Sequence, residues 1–173
     1  MRDFRRALPI LLRVEGGYKP ASADPDDHGG DTNLGITQRA YDRWLLGHEL
    51  ALRPVAVISE QEAAALYWSD YWMPAKCEQM PWPLNLIHFD CVVNDSMAQA
   101  VRLLQRALGV QPDGILGPIT LSRCAPAGPR DCYRYLLERA FHYRALAHAD
   151  RTQWKYLVGG WMYRLEVLYA EVA

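Results

Sequence analysis

The chain has 173 residues, half of them hydrophobic and 11% aromatic, a size that suits one domain with a real core at roughly 150 residues per domain. Its 19 basic and 20 acidic residues leave a net charge of −1, without the basic excess that marks a nucleic-acid binder. No apolar run approaches the ~18 residues of a membrane span, and a mean hydropathy of −0.20 predicts a soluble, globular protein.

The charge is unevenly placed: net +3 over residues 1–19, −7 over 20–122 and +3 over 123–173. Phe4, Leu8, Leu11 and Leu12 recur at i, i+4, i+7 and i+8, which predicts an opening amphipathic helix with Asp3 as its N-cap. Pro9 is expected to kink it and Gly16-Gly17 to stop it. The apolar run from Ala7 to Leu12 is too short for a signal peptide and is followed by no small-residue cleavage site, so the protein is not expected to export itself. Residues 18–36, rich in Asp, Gly, Pro and Asn, read as a long loop or a short hairpin.

Thr37 caps a second predicted helix with Tyr41, Trp44, Leu45 and His48 on one face. Ser59 and Glu62 form a capping box that opens a third, running to about Trp72. Residues 73–83, with three prolines, read as a linker or surface loop. A helix over 84–94 carries the stripe Leu84-Ile87-Cys91. Ser96 caps the next, with Met97, Val101, Leu104 and Leu108 inward and Gly109 as its stop. After a turn-rich stretch over 110–121, where Pro118 is placed to start a helix, long helices are expected over 130–148 and 160–171. The last should bury Trp161, Leu165, Leu168 and Val172. Strand signals are weak, so the fold class is mainly α. Cys77, Cys91, Cys124 and Cys132 form no CxxC pair and have no His at zinc-finger spacing, and they read as buried free thiols.

Glu15 follows Leu11 by four positions and Leu8 by seven, so it continues the buried stripe of the first helix. Desolvation raises a carboxyl's pKa, and a carboxyl that keeps its proton near neutral pH is what a general acid requires. Residues 24–37, D-P-D-D-H-G-G-D-T-N-L-G-I-T, hold four acids in eight positions. Read as a calcium loop from Asp24, this stretch fails at two ligands and places Gly35 where a bidentate Glu is needed. Read instead as the partner of Glu15, one of these acids supplies the second carboxylate of a glycosidase. A solvated acidic turn remains the plainest reading of the composition alone. In the DGILGPIT segment, residues 113–120, Asp113, Gly114, Gly117 and Pro118 suit an architectural turn. His88, His142 and His148 have no metal-ligand spacing.

Taken together, EGGY (15–18) and D-x-x-D-x-GG-x-T-N-x-G-I-T resemble the opening signature of the N-acetylmuramidases of glycoside hydrolase family 108. The resemblance continues through LYWSDYW (66–72), DCVVND (90–95), LQRALGVQPDGILGPITL (104–121) and GGWMYR (159–164). It implies a lysozyme-like helical domain with a C-terminal helical subdomain: a catalytic region over 1–89 and a peptidoglycan-binding-like region over 90–173, packed as one unit. It further implies cleavage of the β-1,4 bond between N-acetylmuramic acid and N-acetylglucosamine, with Glu15 as the acid and Asp27 as second acid. Thr32 or Thr37 would hold a water. His28 and Asp31 depart from the family pattern, and Asp24, Asp26 and Asp31 compete with Asp27 for the second role. Tyr18, Trp72 and Asn94 are the candidates for holding sugar. No cofactor or metal is called for, the partner is the peptidoglycan strand, and the protein is expected to be a monomer. It would act in the periplasm after holin release or export, as a phage endolysin does. The alternative is a non-catalytic peptidoglycan-binding adaptor of a secretion system.

Overall fold

The computed structural model describes residues 1–20 and 30–173. Its architecture is mainly α, as the periodicities require. Helix α1 spans Arg2–Glu15. A two-stranded antiparallel hairpin follows, β1 (Thr32–Asn33) and β2 (Ile36–Thr37), with Thr32 opposite Thr37 and Asn33 opposite Ile36. Next come α2 (Gln38–Gly47) and α3 (Glu60–Tyr67), the latter continued by a π-helical segment, Trp68–Trp72. The second half holds α4 (Leu84–Asn94), α5 (Met97–Ala107), α6 (Pro118–Cys124) and α7 (Pro129–Ala149). A final run joins α8 (Trp154–Tyr156), a second π segment (Leu157–Trp161) and α9 (Met162–Ala170).

Helix α4 is the axis of the molecule. Every residue from Leu84 to Val92 is buried, because a helix apolar on all sides must be covered on all sides. Helices α1, α5 and α7 and the first π segment pack around it, and α9 closes against α1 and α7. Phe4, Trp68, Trp72 and Phe89 meet edge-to-face at centroid distances of 5.1–5.9 Å, which locks α1 to the π segment and to α4.

Several local expectations hold. Thr37 Oγ1 accepts from the Ala40 amide, the Ser59–Glu62 capping box is formed, and Ser96 Oγ accepts from the Gln99 amide. Pro118 starts α6, and all four thiols are buried. Others are corrected. Met1, not Asp3, occupies the N-cap of α1; Asp3 lies in the first turn and accepts from Asn85 Nδ2 at 2.9 Å. Residues 73–83 are no mere linker, since Ala75, Cys77 and Met80 are buried beside α4. His48 is exposed, and Trp161 and Val172 are only half-buried. The closing helix begins at Trp154 rather than residue 160, because the π turn absorbs Gly159-Gly160 into a continuous helical run.

Candidate active site

Three helices and the hairpin converge on Glu15, the last residue of α1. Phe4, Ala7 and Leu11 bury their face of α1, and the next position on that stripe delivers the Glu15 side chain to the core's edge, 15% exposed. Its Oε1 accepts a hydrogen bond from Arg164 Nη2 at 2.6 Å. Arg164 Nη1 donates to Asp90 Oδ2 at 2.8 Å, and Asp90 Oδ1 accepts from Arg139 Nη2 at 2.6 Å. The same Arg139 nitrogen donates to the Tyr143 hydroxyl oxygen at 2.8 Å, while that hydroxyl donates to Asn94 Oδ1 at 2.6 Å. A chain of charge-assisted bonds thus runs from α1 through α9 and α4 to α7.

The hairpin turn forms the lid of this cluster. Leu34 and Gly35 both have positive φ, 51° and 75°. A Cβ on Gly35 would lie 2.6 Å from Glu15 Cγ, 2.7 Å from Glu15 Oε2 and 2.7 Å from the Tyr67 hydroxyl. Only glycine fits, both for its backbone angle and for the carboxyl beneath it. Tyr67 donates to the Leu34 carbonyl at 2.8 Å, and Asn33 Nδ2 donates to the carbonyls of Val55 and Ala56. The turn is therefore pinned from two sides.

Burial pushes the Glu15 carboxyl above the ordinary glutamate range. The charge and hydrogen bond of Arg164 oppose the rise, the negative charge of Asp90 adds to it and Lys19 weakly opposes it. Burial, with the Glu15 charge next, also raises the Tyr67 phenol, which keeps its proton and stays a donor. Such an arrangement fixes one oxygen of the carboxyl on Arg164 and turns the other toward the hairpin, with burial favouring the protonated form.

The structure sorts the expected residues. Glu15 lies in the cluster, and Asn94 joins it through Tyr143. Thr32 is half-buried on the strand leading to the turn; it pairs with Lys19 through the backbone, and its hydroxyl donates to the Gly30 carbonyl at 3.3 Å. The Thr37 hydroxyl is occupied as a helix cap. Tyr18 is exposed and donates to Asp31 Oδ2 at 3.0 Å. Asp27 lies outside the described residues, as do Asp24, Asp26 and His28. Trp72 requires a correction: it is fully buried among Phe4 and Phe89, with its Nε1 donating to Glu78 Oε1 at 3.1 Å, and offers no face to a sugar.

Arg164, Asp90, Arg139, Tyr67 and Gly35 received no individual role from the sequence, although a signal existed. Asp90 is the lone acid of a buried, mostly apolar helix, and Arg139 and Arg164 fall on the buried stripes of α7 and α9. A charge on a buried stripe needs an opposite charge beside it. Both π segments also border the cluster, one just after Tyr67 and the other just before Arg164, in keeping with the frequent siting of π turns at functional sites.

Comparison with known proteins adds three findings. The family model described as Glycosyl hydrolase 108 matches residues 8–95, and that described as Predicted Peptidoglycan domain matches residues 99–166. Among solved structures, the chain is similar to Brucella abortus SagA, with a TM-score of 0.78 and 25% identity over 98% of this chain and 93% of that one. No curated protein gives a match.

Proposed function

The chain belongs to the Glycosyl hydrolase 108 family, and from that premise we propose that it cleaves the β-1,4 bond between N-acetylmuramic acid and N-acetylglucosamine, with Glu15 as general acid. It is a glycoside hydrolase that acts on peptidoglycan. The observation that supports Glu15 most directly is its pairing with Arg164 beneath the Gly35 turn. Burial favours the protonated carboxyl before reaction. Oε1 is held by Arg164, so the proton sits on Oε2 and passes to the leaving glycosidic oxygen as the bond breaks. The guanidinium then stabilises the carboxylate that remains.

A second group must stabilise the oxocarbenium-like centre or orient the attacking water. Asp27 takes that role, with Thr32 supplying a hydroxyl. Tyr18 supplies an exposed aromatic face for a sugar ring and Asn94 a polar contact for its substituents. The catalytic region over 1–89 and the peptidoglycan-binding-like region over 90–173 share the site, since Asp90 and Arg164 come from the second. On the same reading the protein works as a monomer, as a phage endolysin on the cell wall from the periplasm, after holin release or export.

Mass spectrometry of purified peptidoglycan after digestion tests the bond assignment. New reducing ends on N-acetylmuramic acid are expected. Reducing ends on N-acetylglucosamine, 1,6-anhydro products or newly freed amines would each overturn it.

A further inference from the structure

The Glu15 cluster contains a second buried carboxylate that the cleavage chemistry does not use. Asp90 is 1% exposed at the centre of α4, and both of its oxygens are taken: Oδ2 by Arg164 at 2.8 Å and Oδ1 by Arg139 at 2.6 Å. Arg139 is wholly buried. It is further held by the Tyr143 hydroxyl at 2.8 Å and the Ile87 carbonyl at 3.4 Å. Arg164 is thereby divided between two carboxylates, giving Nη1 to Asp90 and Nη2 to Glu15.

We propose that Asp90 is a positioning residue for the acid: by claiming half of the Arg164 guanidinium and balancing one buried positive charge, it lets a protonated Glu15 persist beside an arginine. This rests on Glu15 being the acid. The charge count gives the reason. Two guanidiniums and two carboxylates are neutral when Glu15 is ionised and carry one net positive charge when it is protonated. Without Asp90, Glu15 would be the sole counter-charge to two buried cations and would be driven to ionise. The described groups that face Glu15 are Arg164 of α9, Asp90 of α4, Lys19 beyond the end of α1, Tyr67 of α3 and Tyr71 of the first π segment. Arg139 of α7 stands behind Asp90.

A purely structural role for this network, tying α4, α7 and α9 together, predicts only lost stability when it is cut. A positioning role predicts a pH effect with a sign. Replacing Asp90 (Asp90→Asn) removes a negative charge near Glu15, lowers the acid's pKa and moves the alkaline limb of kcat/KM to lower pH. Replacing Arg164 (Arg164→Met) removes the opposing cation and moves that limb to higher pH. Each displacement should be about one pH unit, the lower end of what a close charge partner produces. Loss of stability cannot move the two limbs in opposite directions.

The test is the pH profile of kcat/KM on soluble glycan fragments for the wild type and both variants, beside a carbon-13 titration of the Glu15 carboxyl in each. Opposite displacements in both readouts support the proposal. A Glu15 carboxyl titration that stays unmoved, or that moves the same way in both variants, overturns it. If the carboxyl titration shifts as expected and the kinetic limb does not follow, the coupling is real and Glu15 is not the acid, which overturns the cleavage assignment itself. Should the single Asp90 change leave Arg139 uncompensated and prevent folding, the double replacement Asp90→Asn with Arg139→Met removes both charges together. Against Arg139→Met alone, it must move the acid limb to lower pH, and a limb unmoved from that of Arg139→Met overturns the proposal.

Discussion

Arg164 stands 149 positions after Glu15 in the chain, and its Nη2 lies 2.6 Å from the Glu15 Oε1. The first and last long helical elements therefore complete one site, and the carboxyl delivered by α1 has its charge environment set by α9. Both partners are largely sheltered from water, 7% and 15% exposed at the side chain, so the pair is not weakened as a surface ion pair would be.

Replacing Glu15 (Glu15→Gln) should cost at least about 100-fold in kcat, the usual contribution of a positioned general acid. Circular dichroism and the unfolding midpoint should stay close to the wild type, since the amide fills the same space. The active form is the protonated one and burial raises the carboxyl's pKa, so wild-type activity should persist above the ordinary glutamate range and fall as pH rises through the raised value. Substantial activity in the folded variant would remove Glu15 from the role.

Replacing Gly35 (Gly35→Ala) should damage both fold and activity. The new methyl would meet Glu15 and Tyr67 at 2.6–2.7 Å from a backbone held at φ 75°. A cost of about 1–3 kcal/mol by urea unfolding is expected from the strained backbone and the clash, with kcat falling more than stability accounts for because the acid is displaced. Unchanged kcat would show that the turn can lift without moving Glu15.

Trp72 and Tyr18 should separate cleanly in a paired experiment. Trp72→Ala empties a fully buried site and should cost about 3–5 kcal/mol of stability. Tyr18→Ala at an exposed position should leave stability within about 0.5 kcal/mol while raising KM on glycan. An unaltered KM would remove Tyr18 from the sugar-binding set.

His88 should make the fold acid-sensitive. It is wholly buried, and its Nδ1 meets the Tyr135 hydroxyl at 2.8 Å. Its Nε2 has no partner among the described residues, and burial lowers its pKa to about 3. The native state therefore binds fewer protons than the unfolded one below pH ~6.5. The stability is fully present above that pH and is lost on acidification toward about 3, at up to about 1.4 kcal/mol per pH unit. Urea unfolding between pH 7 and 4 should show this slope in the wild type and a shallower one in His88→Gln; equal slopes would rule His88 out as the cause.

Much of the architecture can be read along the chain because it depends on neighbours in sequence. The capping of α2, α3 and α5 is set by Thr37, Ser59 with Glu62, and Ser96, each acting within one turn. The burial of α4 follows from apolar residues on every side of it, and the placement of Glu15 follows from the stripe that begins at Phe4. Those effects are short-ranged, and the residues that cause them are adjacent to the residues they act on. Other features depend on which distant faces meet. Trp72 has the composition of a sugar-binding residue, yet the meeting of α1, the first π segment and α4 encloses it. Arg164, Asp90 and Arg139 stand out as charges on buried faces, but which of them pair is decided only when α9, α4 and α7 bring them within hydrogen-bonding distance. Local periodicity placed the acid at the end of a buried stripe. Its counter-charge and the Gly35 lid were decided by packing, because electrostatic and steric partners are chosen by distance in space and not by separation along the chain.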